Sequence, residues 1–425
     1  MGLELRTYGD ALDFLYARTT GIWRLGLERV EAFLHTLGDP HRRLRALHVA
    51  GTNGKGSVCA TLDAVLRSKG LRTAVYTSPH LVDFRERFLI DGAPVAPERI
   101  VEFVDKWTPE VERLGATFFE ATTAMAFEFF AEAEVDVAVI ETGLGGRLDA
   151  TNVIHPLVAG VATIGIDHVE YLGATREEIA FEKAGIFKRG VPAVIGDPDP
   201  AIRELLASHA RTHGATPVRV IYDEGGPADV RVGAQGTAFT LGGRAYTTPL
   251  LGAHQAANCA VAIAMLESLP DALAPGESEV HAGLRNVRLP GRFQRVGKYL
   301  FDVAHNPAGA AVLASTLLAI APPKPIVAVL SVLSDKDWRG IMEALAPVVD
   351  RFILTNAPTA PPSRAWSIPD PLHFAAERGW AAEVIRDFDR ALVKGDSEGQ
   401  TVLITGSFHT VGDAMARLEV SPTGG

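Results

Sequence analysis

Short apolar runs alternate with longer helical patterns through the first half of the chain. Each run is too short for a buried helix and is bounded by turn residues, so it predicts a buried strand. The predicted strands are residues 44–50, 73–77, 135–141, 157–164 and 192–196. Strands that alternate with helices usually pair in parallel, so this pattern predicts a largely parallel sheet with helices on both faces.

The pattern changes at residue 228. Residues 228–246 alternate between apolar and polar positions and are interrupted by Gln-Gly and Gly-Gly turns, which predicts an antiparallel hairpin or small sheet appended to the first domain. Residues 254–269 return to a helical period.

A linker is predicted at residues 287–296, which contain Pro290 and Gly291. Beyond it, short strands and helices alternate again. The predicted strands are 299–303, 325–333, 351–356 and 401–405, and the predicted helices are 309–320, 338–349 and 369–378. The fold class is therefore α/β, with a doubly wound, mostly parallel first domain over residues 1–290 and a smaller Rossmann-like second domain over residues 291–425.

The composition is compatible with this organisation. A chain of 425 residues is longer than one hydrophobic core usually serves. The net charge of -10 gives no general electrostatic reason for binding nucleic acid or an anionic membrane. Cys59 and Cys259 are too few for a disulfide framework, and residues 1–15 do not read as a signal peptide. We therefore expect a soluble cytoplasmic protein without a membrane or nucleic-acid partner.

A glycine-rich loop, Gly51-Thr-Asn-Gly-Lys-Gly-Ser57, follows the first predicted strand and precedes a helical pattern at residues 58–69. Glycines let backbone N–H groups turn toward a polyphosphate, the helix N-terminus adds partial positive charge, and a hydroxyl can reach Mg²⁺. The residues predicted to bind the nucleotide are Thr52, Asn53, Gly54, Lys55, Gly56 and Ser57.

This loop departs from the usual phosphate-loop pattern. Gly56 separates Lys55 from Ser57, whereas the lysine and the hydroxyl are normally adjacent. The alternative interpretation is a glycine-rich turn without a ligand, but the flanking strand and helix favour nucleotide binding.

Three polar side chains follow the ends of predicted strands. Glu141 ends one strand, and Asp167 and His168 follow another, so all three could converge on one metal ion at the same edge of the sheet. Taken singly, Glu141 is better explained as a helix N-cap or a loop anchor, and His168 as a hydrogen-bonded structural residue. Histidine is also an unusual ligand for a hard cation. Lys183 lies in a helical pattern at residues 175–187, where a solvated lysine is the default interpretation.

Taken together, the motifs resemble those of the folylpolyglutamate synthase and dihydrofolate synthase family, within the amide ligases that include the muramoyl peptide ligases. The resemblance covers nearly the whole chain. The matching segments are residues 25–29, 48–57, 77–81, 84–87, 141–152, 165–168, 182–186, 254–258, 291–294, 302–307 and 335–337.

The resemblance implies a set of metal ligands. Ser57, Glu141 and His168 look like the magnesium ligands, and Lys183 looks like a lysine that the family carries as a carbamate. A carbamate supplies anionic oxygen for a second Mg²⁺, but it forms only from a neutral amine, so the pKa of Lys183 must be lowered.

The resemblance also implies the substrate contacts. Asn258, Arg292, Asp302 and His305 would close over ATP between the two domains, with Lys55, Lys183 and His305 as the catalytic side chains. The pterin and aminobenzoate part would lie near residues 24–27 and the 78–87 loop. The residues expected to contact it are Ser78, Arg85, Thr122, Leu148, Asp149 and Ala150.

The implied activity is ATP-dependent ligation of L-glutamate to dihydropteroate or a reduced folate through an acyl phosphate, by a monomeric enzyme. Two alternatives differ in class. A muramoyl peptide ligase would need a further domain for its nucleotide sugar, and only about 40 residues precede the phosphate-loop strand. A regulatory protein could bind ATP without ligating anything.

Overall fold

The computed structural model describes residues 6–19 and 26–421. Arg24 and Leu25, which belong to the segments expected near the pterin, lie outside these ranges. Among the described residues, no helix is long and apolar enough to cross a membrane.

The strands and helices alternate as expected over most of the chain. The strands are β1 (Ala46–Ala50), β2 (Thr73–Tyr76), β3 (Phe88–Ile90), β4 (Ala93–Pro94), β5 (Val137–Glu141), β6 (Val158–Val161), β7 (Ala193–Ile195), β8 (Val218–Val220), β9 (Ala228–Gly233), β10 (Gly236–Leu241), β11 (Arg244–Thr248), β12 (Gln294–Val296), β13 (Tyr299–Phe301), β14 (Ile326–Leu330), β15 (Arg351–Leu354), β16 (Ala382–Val384) and β17 (Thr401–Thr405). The helices are α1 (Tyr8–Tyr16), α2 (Glu28–Thr36), α3 (Lys55–Ser68), α4 (Pro97–Leu114), α5 (Phe118–Glu132), α6 (Val169–Leu172), α7 (Arg176–Ala184), α8 (Pro200–Thr212), α9 (His254–Glu267), α10 (Glu277–Asn286), α11 (Pro307–Ile320), α12 (Trp338–Leu345), α13 (Pro369–Glu377), α14 (Phe388–Glu398) and α15 (Phe408–Arg417). Short 3-10 helices occupy Pro40–Arg43, Phe84–Arg87, Ala150–Val153 and Pro362–Arg364.

The chain divides into two compact units. The first contains residues 1–78, 85–226 and 257–284, and the second contains residues 79–84, 227–256 and 285–425. The small sheet of residues 228–248 is grouped with the second unit. The expected domain boundary near residue 290 stays a prediction.

The first unit is built on an eight-stranded sheet among the described residues, in the order β4-β3-β2-β5-β1-β6-β7-β8. The strands from β2 to β8 along this order pair in parallel, while β3 and β4 pair antiparallel at one edge. All five residues of β1 are buried, as expected for a central parallel strand covered on both faces. The mostly parallel sheet is therefore confirmed, and its antiparallel edge is an addition.

The second unit contains a six-stranded sheet in the described part, in the order β12-β13-β17-β14-β15-β16. Only β12 pairs antiparallel, with β13. The predicted linker at residues 287–296 is thus partly wrong, because its last three residues form β12. The predicted antiparallel small sheet is confirmed as β9, β10 and β11.

Each large sheet has its own hydrophobic core. In the first unit, Val161 and Ile195 from the sheet pack with Ile179 of α7 and Leu206 of α8. In the second, strands β14 and β15 pack against α11, α12 and α13 through another cluster of buried residues.

His48 is a titratable residue at the centre of β1. It is 0% exposed, and its Nε2 lies 2.9 Å from Thr151 Oγ1. Burial lowers the pKa of His48 to about 3, with a smaller contribution from the nearby Lys188 charge. The folded state therefore keeps this imidazole neutral at pH values where the unfolded chain binds a proton.

We predict that this histidine makes the first unit acid-sensitive. The contribution is fully present above pH 6.5, the ordinary pKa, and is lost as the pH falls toward 3. About 2 kcal/mol of unfolding free energy has already been lost at pH 5. Denaturant unfolding between pH 7.5 and 5 should show a smaller loss of stability for His48→Gln than for the wild type.

His35→Gln, at a side chain that is 84% exposed, is the control and should follow the wild type. Parallel curves for all three proteins would contradict the prediction.

Candidate active site

The phosphate loop joins the end of β1 to the start of α3. Gly51 and Gly54 have φ angles of 152° and 88°, which L side chains adopt only with strain. Thr52 N donates to Thr163 O at 2.7 Å, and Thr163 Oγ1 donates to Asn53 O at 3.1 Å. The loop is therefore fixed against the segment that follows β6.

Lys55 and Ser57 lie in the first turn of α3. Lys55 Nζ donates to Gly51 O at 3.0 Å and lies 3.9 Å from Glu141 Oε1. Ser57 is 4% exposed. The ammonium group and the positive end of the helix dipole together make this end of α3 suitable for a phosphate group.

Asn258 of α9 lies against the phosphate loop although it is 204 residues from Gly54 in the sequence. A Cβ atom on Gly54 would lie 2.4 Å from Asn258 Oδ1 and 3.3 Å from the Cβ of Ala162. Only a glycine fits between them. The structure thus brings together two of the residues predicted to bind the nucleotide.

Glu141 is the last residue of β5, beside the end of β1. Its Cα partner across the parallel ladder is Val49. The carboxylate accepts a hydrogen bond from Ser78 N at 3.3 Å, and the residue is only 5% exposed. The predicted position at the carboxyl edge of the sheet is confirmed.

The expected convergence of Glu141, Asp167 and His168 on one metal ion stays a prediction. Over residues 6–19 and 26–421, no three His, Cys, Asp or Glu side chains are grouped closely enough to hold an ion. Asp167 Oδ1 accepts a hydrogen bond from the backbone N–H of His168 at 2.8 Å. The Ser57 hydroxyl is an oxygen donor of a kind that is suitable for Mg²⁺.

Lys183 is not the solvated lysine that its helical pattern suggested. It is 4% exposed, on α7, which begins with a capping box between Thr175 and Glu178. Burial and, to a smaller extent, the positive charge of Lys55 lower the pKa of Lys183 to about 7, against the opposing effect of carboxylates that include Glu141. A substantial fraction of neutral amine is therefore available near pH 7.

Two of the residues expected to bind the folate are engaged with the protein itself. Thr122 is 0% exposed, and its hydroxyl lies 3.0 Å from Tyr76 Oη. Asp149 accepts hydrogen bonds from Gly143 N at 2.9 Å and Leu144 N at 2.7 Å, and further ones from the N–H and hydroxyl of Thr151. Burial raises the pKa of Asp149, and these hydrogen bonds oppose the rise. Asp149 thus anchors the glycine turn after β5.

The other expected folate residues lie in the same unit. Ser78 is held through its backbone by Glu141, and Arg85 Nη1 donates to Val95 O at 3.4 Å. Leu148 is half-buried, and Ala150 is buried at the start of a 3-10 helix. Their contact with a substrate stays a prediction.

Arg292, Asp302 and His305 are brought together in the second unit. Asp302 accepts hydrogen bonds from Phe293 N and Ala304 N, both at 2.9 Å. Burial raises the pKa of Asp302, and the nearby Arg292 charge opposes that rise. The guanidinium carbon of Arg292 lies 4.9 Å from the ring centre of Phe408, and the His305 ring centre is 5.8 Å from the same ring.

Phe408 and Arg87 were not singled out from the sequence. The Phe408 ring lies near two predicted ATP-binding residues, Arg292 and His305. Arg87 is 7% exposed and lies with its guanidinium carbon 5.2 Å from the ring centre of Phe118. Burial lowers the pKa of Arg87. Its signal was the 84–87 motif, in which Arg85 was chosen instead.

Known protein families match most of this chain. Residues 49–266 match the family model of the Mur ligase middle domain, and residues 291–408 match that of the Mur ligase glutamate ligase domain. A dihydrofolate synthase/folylpolyglutamate synthase from Mycobacterium tuberculosis is 39% identical over 435 residues, covering 91% of this chain and 89% of the relative. The chain belongs to the folylpolyglutamate synthase/dihydrofolate synthase family.

Solved structures of this synthase family have the same fold. The Mycobacterium tuberculosis folylpolyglutamate synthase complexed with ADP superposes with a TM-score of 0.87 at 36% identity, covering 98% of this chain and 99% of that chain. A bifunctional folylpolyglutamate synthase/dihydrofolate synthase with Mn, AMPPNP and L-glutamate bound gives a TM-score of 0.81 at 34% identity, covering 98% of this chain and 100% of that chain. The family and the α/β fold predicted from the sequence are confirmed.

We predict that Gly54→Ala removes nucleotide binding in this synthase. The added methyl group must displace Asn258 or the loop, so ADP affinity should fall about 100-fold or more, measured by titration calorimetry. Gly70→Ala is the matched control, because Gly70 has a φ of 85° but no heavy atom within 4 Å of the added Cβ. It carries the same backbone strain without the collision and should keep wild-type affinity. Equal losses in both variants would show that strain, and not the fit against Asn258, is responsible.

Proposed function

We propose that this protein is an ATP-dependent ligase that joins L-glutamate to the carboxylate of dihydropteroate or of a reduced folate. The observation that carries the proposal is the grouping of the phosphate loop, Glu141 and buried Lys183 in one unit of a chain from this family. Such a site can hold a polyphosphate beside groups able to carry anionic oxygen ligands.

The reaction proceeds through an activated carboxylate. The γ-phosphoryl group of ATP transfers to a folate carboxylate oxygen, giving an acyl phosphate and ADP. The amine of glutamate then attacks the acyl carbon, the amide bond forms, and phosphate leaves while the amine loses its proton. Lys55 and the N-terminus of α3 stabilise negative charge on the phosphates, which is the main catalytic requirement of phosphoryl transfer.

Magnesium would be held by Ser57, Glu141 and His168, and a second ion by a modified Lys183. The buried carboxylate of Glu141 and the hydroxyl of Ser57 are oxygen donors of the kind Mg²⁺ prefers, whereas His168 fits less well. Bound magnesium would neutralise charge on the transferring phosphoryl group. The choice of Mg²⁺ and the number of ions belong to the proposal.

Lys183 would carry a carbamate. Its neutral amine attacks the carbon of CO₂, a nitrogen–carbon bond forms, and a proton is released. The lowered pKa of Lys183 supports this step, because an ammonium group has no lone pair for the attack.

The second unit would supply further contacts to ATP. Arg292, Asp302 and His305 are proposed to contact the nucleotide, and Asn258 is proposed to contact it from its place against the phosphate loop. We also propose that the protein is a monomer in the cytoplasm and has no nucleic-acid or membrane partner.

The direct test is ATP-dependent incorporation of labelled glutamate, with dihydropteroate and tetrahydrofolate in separate reactions at millimolar Mg²⁺. Incorporation into both defines a bifunctional enzyme, and incorporation into one defines its single step. If ADP binds but neither folate is extended, the ligase proposal is wrong and a regulatory nucleotide-binding protein becomes the better interpretation.

We predict that Glu141→Gln lowers kcat for glutamate incorporation by about 100-fold or more, because it removes the anionic oxygen at the proposed metal site. Glu132→Gln, at the exposed end of α5, should keep wild-type turnover. Steady-state kinetics at increasing Mg²⁺ would check this. A Glu141→Gln enzyme with near-normal kcat would remove this residue from the metal site.

A further inference from the structure

The loop that follows β5 is fastened to the helix that carries Lys183. Three residues make the connection, and we refer to Gly146, Arg147 and Asn152 as the loop–helix clamp. None of them was among the predicted site residues.

The first part of the clamp is a close backbone contact. Arg147 N donates to Glu182 O at 2.7 Å, one residue before Lys183. A Cβ atom on Gly146 would lie 2.8 Å from Lys183 O and 2.9 Å from Glu182 O. Residue 146 therefore has to be glycine for the loop to approach α7 this closely.

The second part consists of side chains. Asn152 Nδ2 donates to Arg147 O at 3.0 Å and to Gly185 O at 3.1 Å, so one amide group joins the loop to the end of α7. Arg147 Nη2 lies 2.8 Å from Glu182 Oε1, and its guanidinium carbon lies 5.6 Å from the ring centre of Phe181. Arg147 thus contacts two neighbouring residues in the last turn of α7.

The other end of the same loop begins at Glu141. Between Glu141 and the clamp, the backbone N–H groups of Gly143 and Leu144 are fixed by the buried carboxylate of Asp149. The loop is consequently anchored near both ends. It forms a short, hydrogen-bonded connection between the carboxylate of Glu141 and the helix of Lys183.

We propose that the loop–helix clamp sets the position of Lys183 relative to Glu141 and so keeps the two groups in reactive geometry. The clamp residues are positioning residues that act through Lys183, without touching substrate. This inference rests on the proposed function, in which both groups hold metal ions beside ATP. Phosphoryl transfer depends on accurate placement, and an error near 1 Å can lower the rate about 100-fold.

Two substitutions test the clamp in the full-length protein. Asn152→Ala removes two hydrogen bonds, and Gly146→Ala forces the loop away from Lys183 O. For Asn152→Ala we expect kcat for glutamate incorporation to fall about tenfold or more, while KM for ATP stays within about twofold, because the phosphate loop is unchanged. Gly146→Ala should have a larger effect on kcat.

Two control variants match the chemistry elsewhere in the chain. Gly233→Ala adds a methyl group where no heavy atom lies within 4 Å. Ser397→Ala removes a side-chain hydrogen bond to a backbone carbonyl on α14, from Ser397 Oγ to Lys394 O at 2.9 Å. Both should keep wild-type kcat.

A second measurement separates positioning from stability. The carbamate of Lys183 is followed by ¹³C NMR in ¹³CO₂-equilibrated protein, and each variant is assayed well below its thermal midpoint. We expect a weaker carbamate signal for the clamp variants, and partial recovery of their activity as bicarbonate is raised. Folded clamp variants with wild-type kcat would overturn the inference, and so would a loss of kcat that disappears at lower temperature.

The same experiment separates this inference from the proposed function. A wild-type enzyme that ligates glutamate without a carbamate signal would overturn the carbamate and the positioning role built on it. A wild-type enzyme with the signal but without ligation would overturn the proposed reaction. A wild-type enzyme with both, together with unaffected Asn152→Ala and Gly146→Ala variants, would overturn the clamp alone.

Discussion

The chemistry of the first unit depends on the pairing of β1 between β5 and β6. Their registers place Val49 opposite Glu141 on one side and opposite Gly160 on the other. Because the three strands run in parallel, the phosphate loop, Glu141 and the segment leading to His168 all leave the sheet at one edge. A slip of one residue would turn Glu141 to the opposite face of the sheet.

Burial then determines the electrostatics at this edge. The pKa of Lys183 is lowered by burial and by the positive charge of Lys55, and both effects favour the neutral amine. Glu141 lies within 3.9 Å of Lys55 Nζ, so the buried carboxylate has a cation nearby. The proposed chemistry uses this arrangement, because a neutral Lys183 can react with CO₂ while Lys55 remains near the phosphate loop.

The second unit holds the guanidinium group of Arg292 and the imidazole of His305 near one aromatic ring. Asp302 fixes the backbone on both sides of β13 by accepting from Phe293 N and Ala304 N. Phe408 then provides one aromatic surface near both Arg292 and His305. An aromatic face attracts a guanidinium group without neutralising its charge.

The sequence by itself determined the family, the alternation of strands and helices, the phosphate loop and the place of Glu141 at a strand end. These features are local, since strand runs, glycine spacing and motif order are written in consecutive residues. The sequence could not assign the short strands β3, β4, β8, β12 and β16, whose few residues carry too little periodicity for a prediction. The tertiary structure alone decided that Asn258 covers Gly54, that Asp149 anchors a turn, and that Lys183 is buried beside another lysine. Packing brings distant segments together and removes water from them, and the resulting contacts and pKa shifts depend on neighbours that no local pattern specifies.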